Sequence, residues 1–234
     1  MDELYRQPVF GVFLTLLAFY VALAIRKRSK NVLLNPVLVA VSLIILVLIS
    51  FDISFDDYNE GGKFLTFFLG PSVVALGVLF YEKFNEIKHN FIPFFISVFI
   101  GGSVAIISVV VIAIILHAPE VITRSLASKS VTTPIAVEVT QILKGIPSIT
   151  AGVVIAVGIF GNAFGPAILK VLGIRSKHAM GTALGTAAHG IGTARALEEG
   201  ELTGAYSGLA MCVNGIITAF AAPYVTEWIL KMMI

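Results

Sequence analysis

The sequence predicts an all-α, polytopic membrane protein. Three observations carry that prediction. Hydrophobic residues fill 57% of the 234 positions. Charged residues fill 13%, against about 25% in soluble domains. Mean hydropathy is +0.96, concentrated in apolar runs of membrane-spanning length. The 234 residues accommodate roughly seven or eight spans of ~20 residues each. They form one transmembrane domain over 1–234, with candidate halves 1–117 and 118–234.

The apolar segments fall at 8–25, 35–51, 64–81, 91–116, 131–143, 147–169, 179–197 and 204–230. The first is followed by Arg26-Lys27-Arg28-Ser29-Lys30 and preceded by Asp2 and Glu3. That order reverses a secretory signal, so the segment reads as a span with its N-terminus outside. The acidic stretch Asp52 to Glu60 reads as an outside loop, and Glu82 to His89 as an inside one. The segment at 131–143 is short, which favours a re-entrant or half-crossing element. Lys170, Arg175 and Lys177 then fall inside, as does the C-terminus.

The third and fifth segments open alike, with Gly70-Pro71-Ser72 and Thr132-Thr133-Pro134. Proline suits the first turn of a helix, where its missing N–H is no loss. Each segment reads either as a half-helix starting within the membrane, as in inverted-repeat transporters, or as an ordinary proline kink.

The run Met180 to Arg195 is the most polar stretch within the apolar regions. Taken as one helix, Thr182, Thr186, His189 and Thr193 share a narrow face, and Gly181, Gly185, Ala188 and Gly192 form a neighbouring packing stripe. Arg195 stands about 140° from the polar face. It joins a site only if Gly190 to Gly192 breaks the helix; otherwise it snorkels or pairs with Glu198, Glu199 or Glu201. Glu138 is a candidate proton or cation carrier, or a buried pairing group for Arg195 or Lys129. Asn214 reads as interhelical glue.

The net charge of +2 excludes a nucleic-acid partner. The one cysteine, Cys212, excludes an internal disulfide. Nucleophile elbow, zinc-protease and phosphate-loop motifs are absent, so neither an enzyme nor a cofactor is expected.

Lys129-Ser-Val-Thr-Thr-Pro-Ile-Ala136, Gly145-Ile-Pro-Ser148 and Gly185-Thr-Ala-Ala-His-Gly-Ile-Gly-Thr-Ala-Arg-Ala-Leu197 resemble the LrgB/CidB family. Leu69-Gly-Pro-Ser-Val-Val-Ala-Leu76, Gly204-Ala-Tyr-Ser-Gly-Leu-Ala210 and Pro223 extend the resemblance. Ala188 departs from it, because the family usually carries serine there. The resemblance implies a bacterial inner-membrane protein that pairs with a small holin-like protein of the LrgA/CidA type. It implies either modulation of murein hydrolases and autolysis or carriage of small organic acids, as in a plastid glycolate/glycerate relative.

Joined to the residues, this gives an expected small-anion site. Its candidates are Gly70, Pro71, Ser72, Thr132, Thr133, Pro134, Thr186, His189, Gly190, Gly192, Thr193 and Arg195. Glu138 and His189 are coupling candidates. Gly181, Gly185, Ala188 and Asn214 pack helices, and a homo-oligomer is expected.

Overall fold

Every regular element described in the computed structural model is an α-helix, the form a bilayer favours because its core offers the backbone no water. The structure describes residues 7–29, 36–68 and 84–233, with positions 5, 34, 71, 74, 75, 78, 81 and 82. Large apolar side chains point outward. On the helix Phe91–Ile115 these include Phe95, Ile96, Phe99, Ile100, Val104 and Ile107. Such a surface suits lipid and not water. The protein is a multi-pass helical membrane protein, the architecture of the bacterial inner membrane, whereas outer-membrane proteins are barrels.

Among the described residues four helices are long and apolar enough to cross a membrane: Pro8–Ser29, Phe91–Ile115, Pro147–Val171 and Glu201–Met233. The expected segment at 64–81 lies in part outside the described residues, and further expected segments differ from full spans. The helices Pro36–Ser50 and Thr133–Ile142 have only 15 and 10 residues. The helix Lys177–Glu199 is interrupted by non-helical backbone at His189.

The chain divides into two compact units, residues 1–78 and 79–234. The first contains α1 (Pro8–Ser29), α2 (Pro36–Ser50) and α3 (Phe55–Phe67). Small residues bring α1 and α2 together through Ala18, Ala22 and Ala40, with Ile44 beside them. The acidic stretch expected as a loop is mostly helix α3, which corrects that expectation. Ser54 Oγ accepts the Asp57 N–H at 3.1 Å, capping the first turn. Asp56 and Asp57 lie in that turn, at the positive end of the helix dipole. The acidity therefore marks a helix start.

Gly61 of α3 lies against Gly11 of α1. A Cβ added at Gly61 would fall 2.6 Å from Gly11 Cα and 2.7 Å from the Val12 nitrogen. The Thr15 hydroxyl donates to Gly11 O at 2.7 Å, and the Tyr58 hydroxyl lies 2.7 Å from Thr15 Oγ1. Gly61→Val is expected to destabilise this unit by about 2 kcal/mol or more, read as an earlier thermal unfolding step. Gly62→Val, whose Cβ would meet only the Asn59 side chain, is the tolerated control.

The second unit contains α4 (Phe84–His89), α5 (Phe91–Ile115), α6 (Glu120–Leu126), α7 (Thr133–Ile142), α8 (Pro147–Val171), α9 (Lys177–Glu199) and α10 (Glu201–Met233). Helices α5 and α10 run side by side in the same direction. Phe94 meets Tyr206 edge-on at 5.7 Å, and further along Ile106 and Val110 join Ala222 and Ile229. Helix α8 ends where α10 begins, since Lys170 near its end bonds Glu199 at 3.2 Å. Helices α8 and α10 therefore run in opposite directions.

Candidate functional site

Two short helical hairpins enter this unit from opposite ends. The first is made by α6 and α7, with seven and ten residues, or about 10 and 15 Å at 1.5 Å per residue. Its base is tied down by Arg124, which donates to Leu143 O at 3.0 Å and pairs with Glu120 at 2.7 Å and with Glu227 of α10. Buried hydroxyls join it to α8. Thr140 and Thr150 hydroxyls lie 2.8 Å apart, Thr150 donates to Ser125 O at 2.8 Å, and Ser128 donates to Ala136 O at 3.0 Å. Each polar group thus finds a partner away from water. A Cβ on Gly145 would fall 2.9 Å from the Ser125 nitrogen, which accounts for glycine in the Gly-Ile-Pro-Ser motif.

The second hairpin is α9 itself. Of the two readings of 180–195, a continuous helix or one broken at Gly190 to Gly192, the helix is broken, at His189, which takes φ 41° and ψ −134°, and the chain folds back. Gly185 and Thr193 would stand about 12 Å apart in a straight helix. Both instead meet Ser207 of α10, Gly185 against its backbone and Thr193 through hydroxyls 2.9 Å apart. Gly192 packs onto the outgoing limb, where an added Cβ would be 2.6 Å from both Ala188 Cβ and Leu184 O.

The turn is fastened from α8. His189 Nε2 lies 3.0 Å from Val154 O, and Asn162 donates to Ile191 O at 2.9 Å. Gly158 lets α8 approach, because a Cβ there would be 2.8 Å from His189 Cε1.

The two tips meet at Asn214. Its amide donates to Ser130 O on the first tip at 3.2 Å and to Thr186 O near the second at 3.0 Å. Asn214 lies thirteen residues from both Glu201 and Glu227 of α10, about 20 Å from each. The roughly 40 Å between them is the thickness of a bilayer with its headgroup regions, and the tips meet midway between these two carboxylates.

A cavity of about 630 Å³ runs from the starts of α5 and α9 to this meeting point. Asn90, Ser176 and His178 line one end; Lys129, Ser130, Ala105 and Thr186 line the other. The α5 wall from Asn90 to Ala105 is about 22 Å long. Among the described residues Lys129 is its only ordinarily charged lining residue, and none of those residues that line it is a carboxylate. Lys129 Nζ donates to Ser130 Oγ at 3.1 Å. The hydroxyls of Thr182 and Thr186 donate to His178 O and Thr182 O, each at 2.8 Å.

The profile of the LrgB-like family matches residues 15–228. The chain belongs to the LrgB family. It is 34% identical over 220 residues to the uncharacterized protein YwbG of Bacillus subtilis (strain 168), covering 94% of this chain and 98% of that protein. It is 31% identical over 217 residues to the antiholin-like protein LrgB of Bacillus cereus (strain B4264), covering 92% and 94%. No solved structure matches.

The stretches 129–136 and 185–197, on which the resemblance rests in part, lie in the two hairpins. Of the expected site residues, Thr186 lines the cavity. Thr132, Thr133 and Pro134 start the return limb of the first hairpin, outside the lining. His189, Gly190, Gly192 and Thr193 form the second turn and its return limb, also outside it. Arg195 bonds Glu198 at 2.5 Å and Glu199 at 2.6 Å, which removes it from the cavity. Glu138 is exposed on α7 and, among the described residues, pairs with neither Lys129 nor Arg195.

Pro71 is exposed, while Gly70 and Ser72 lie outside the described residues. Gly181 packs on α10, where an added Cβ would be 2.9 Å from Tyr206 Cβ, and Ala188 packs on Gly161 of α8. The sequence reading left two residues out of the site. Lys129 had a signal, a charge inside a family motif beside an apolar helix. Arg124 had none beyond its i, i+4 spacing from Glu120.

Among the described residues no group of three or more His, Cys, Asp or Glu is placed to hold a metal.

Proposed function

We propose that this LrgB-family protein acts in the membrane as an antiholin-like regulator. The likeness to antiholin-like LrgB over 92% of the chain supports this role. On this proposal it pairs with a small holin-like protein of the LrgA/CidA type and assembles with further copies of itself. Its output is restraint or release of murein hydrolase activity.

One observation favours a second role, translocation of small monocarboxylates such as pyruvate, lactate or glycolate. Two hairpins of opposite insertion meet at a mid-membrane cavity with a cation at its inner end. Broken helices around a midplane site are a feature of secondary transporters. Each hairpin is followed by a full-length helix, α8 or α10, and these two run in opposite directions. On this proposal an inverted repeat is read within residues 120–233.

Gly101→Leu separates the two roles. An added Cβ there points at Thr186 Cγ2, 3.2 Å away, and the rest of the leucine fills the cavity. Uptake of labelled pyruvate, lactate and glycolate into proteoliposomes is measured with and without a holin-like partner, beside autolysis in cells. Translocation expects uptake by wild type and at least a ten-fold loss in Gly101→Leu. Pure regulation expects no uptake and an unchanged autolysis phenotype in that variant.

A further inference from the structure

We infer that Lys129 is the anchor for the carboxylate of an organic acid that carries one negative charge and an apolar body. The inference rests on the translocation role and adds to it a residue and a ligand class.

The ammonium of Lys129 lies at the inner end of the cavity, at the tip of the α6–α7 hairpin. Its one hydrogen-bond partner among the described residues is the Ser130 hydroxyl, and it is in no ion pair there. The other cations of this unit in ion pairs are met by carboxylates: Arg124 by Glu120 and Glu227, Lys170 by Glu199, Arg195 by Glu198 and Glu199. A charge held within the membrane without a counter-charge is expensive. It is retained where an anion arrives to complete it. One lysine and, among the described residues, no lining carboxylate match a complement of a single negative charge.

The walls set the rest of the ligand. Between Lys129 and the outer end stand Gly101, Val157, Ala179, Ala183 and Phe94, which offer contact area and almost no hydrogen bonds, and Ser97, whose hydroxyl donates to Pro93 O at 2.7 Å. The Thr182 and Thr186 hydroxyls already spend their protons on their own helix. At about 30 Å³ per water, the 630 Å³ cavity holds on the order of 20 waters. An acid of three carbons leaves most of that space wet. A longer apolar chain displaces water from apolar walls, which is favourable.

The test is equilibrium binding to the purified full chain in lipid nanodiscs. The probes are labelled acetate, butyrate and hexanoate, with butyramide and succinate as competitors. Affinity is expected to rise along the series by up to about four-fold per methylene. Butyramide, which lacks the charge, and succinate, which carries two, are expected to compete at least ten-fold less well than butyrate. Lys129→Gln is expected to weaken butyrate at least ten-fold, as for a lost charge-assisted bond, and Lys129→Arg to retain binding.

Equal competition by butyramide overturns the inference and requires no variant. So does unchanged binding by Lys129→Gln, or no binding of any acid by wild type. Uptake that persists undiminished in Lys129→Gln would refute the anchor while leaving translocation standing. Lys129-dependent binding without uptake would do the reverse.

Discussion

Gly185→Leu is expected to prevent the second unit from reaching its folded state in the membrane. The α9 hairpin rests on α10 with no side chain between the two backbones. A Cβ at Gly185 would lie 2.7 Å from the Ser207 carbonyl carbon and 2.9 Å from its Cα. Those are backbone atoms of a long helix and cannot step aside as a side-chain tip would. Overpacking ordinarily costs about 1–3 kcal/mol, and a clash with immobile backbone belongs at or beyond the upper end. Thermal unfolding in detergent, followed by tryptophan fluorescence and by aggregation, reads the effect. Gly152→Leu is the control, because a Cβ there meets nothing within 4 Å. Comparable loss in both variants would mean that leucine itself is poorly tolerated and that the contact with Ser207 is not the cause. The glycine stripe is thus internal packing of one chain; Gly181 and Gly185 are covered by α10 and do not present a face to another copy.

Asn214→Leu is expected to uncouple the two hairpin tips. One amide holds Ser130 O and Thr186 O together, each through its own N–H. Leucine leaves two buried carbonyls without that donor. Hydrogen bonds between membrane helices average about 0.6 kcal/mol and reach ~1.7, while an orphaned buried acceptor in a protein interior costs about 1–3 kcal/mol. The expected loss is therefore about 2–3 kcal/mol. Asn214→Asp should be worse, since its carboxylate faces two carbonyl oxygens in place of the amide donors. Single cysteines at Ser130 and at Thr186, labelled with a small maleimide, report whether the tips separate. Labelling that stays unchanged in Asn214→Leu, with wild-type stability, would show that the tips hold by other contacts.

The helix class and the membrane setting were legible because they rest on composition and on runs of apolar residues. The start of α7 was legible because Thr132-Thr133-Pro134 is a local signal. The fold-back of α9 was not. No proline marks it, and Thr182, Thr186, His189 and Thr193 keep a perfect helical spacing straight through the turn. The turn is made by partners far along the chain, Gly158 and Asn162 on α8 and Ser207 on α10. Periodicity counts neighbours in sequence and cannot register such contacts. The glycines at 190 and 192 were the one local trace. Helix α3 is hidden for the opposite reason: the acidic stretch reads as a loop, whereas Asp56 and Asp57 serve the helix terminus.

The meeting of the two hairpins also divides the membrane electrically. A cavity filled with water would carry the potential of its own compartment inward as far as the tips. The remaining insulation is the α6–α7 hairpin with the helices around it, about 20 Å along α10 from Asn214 to Glu227. Most of the transmembrane voltage would then fall across that layer. A unit charge that passes from Lys129 to the far side meets nearly the whole field, about 2.3 kcal/mol per 100 mV. A charge that enters from the α5 and α9 end as far as Lys129 meets little of it.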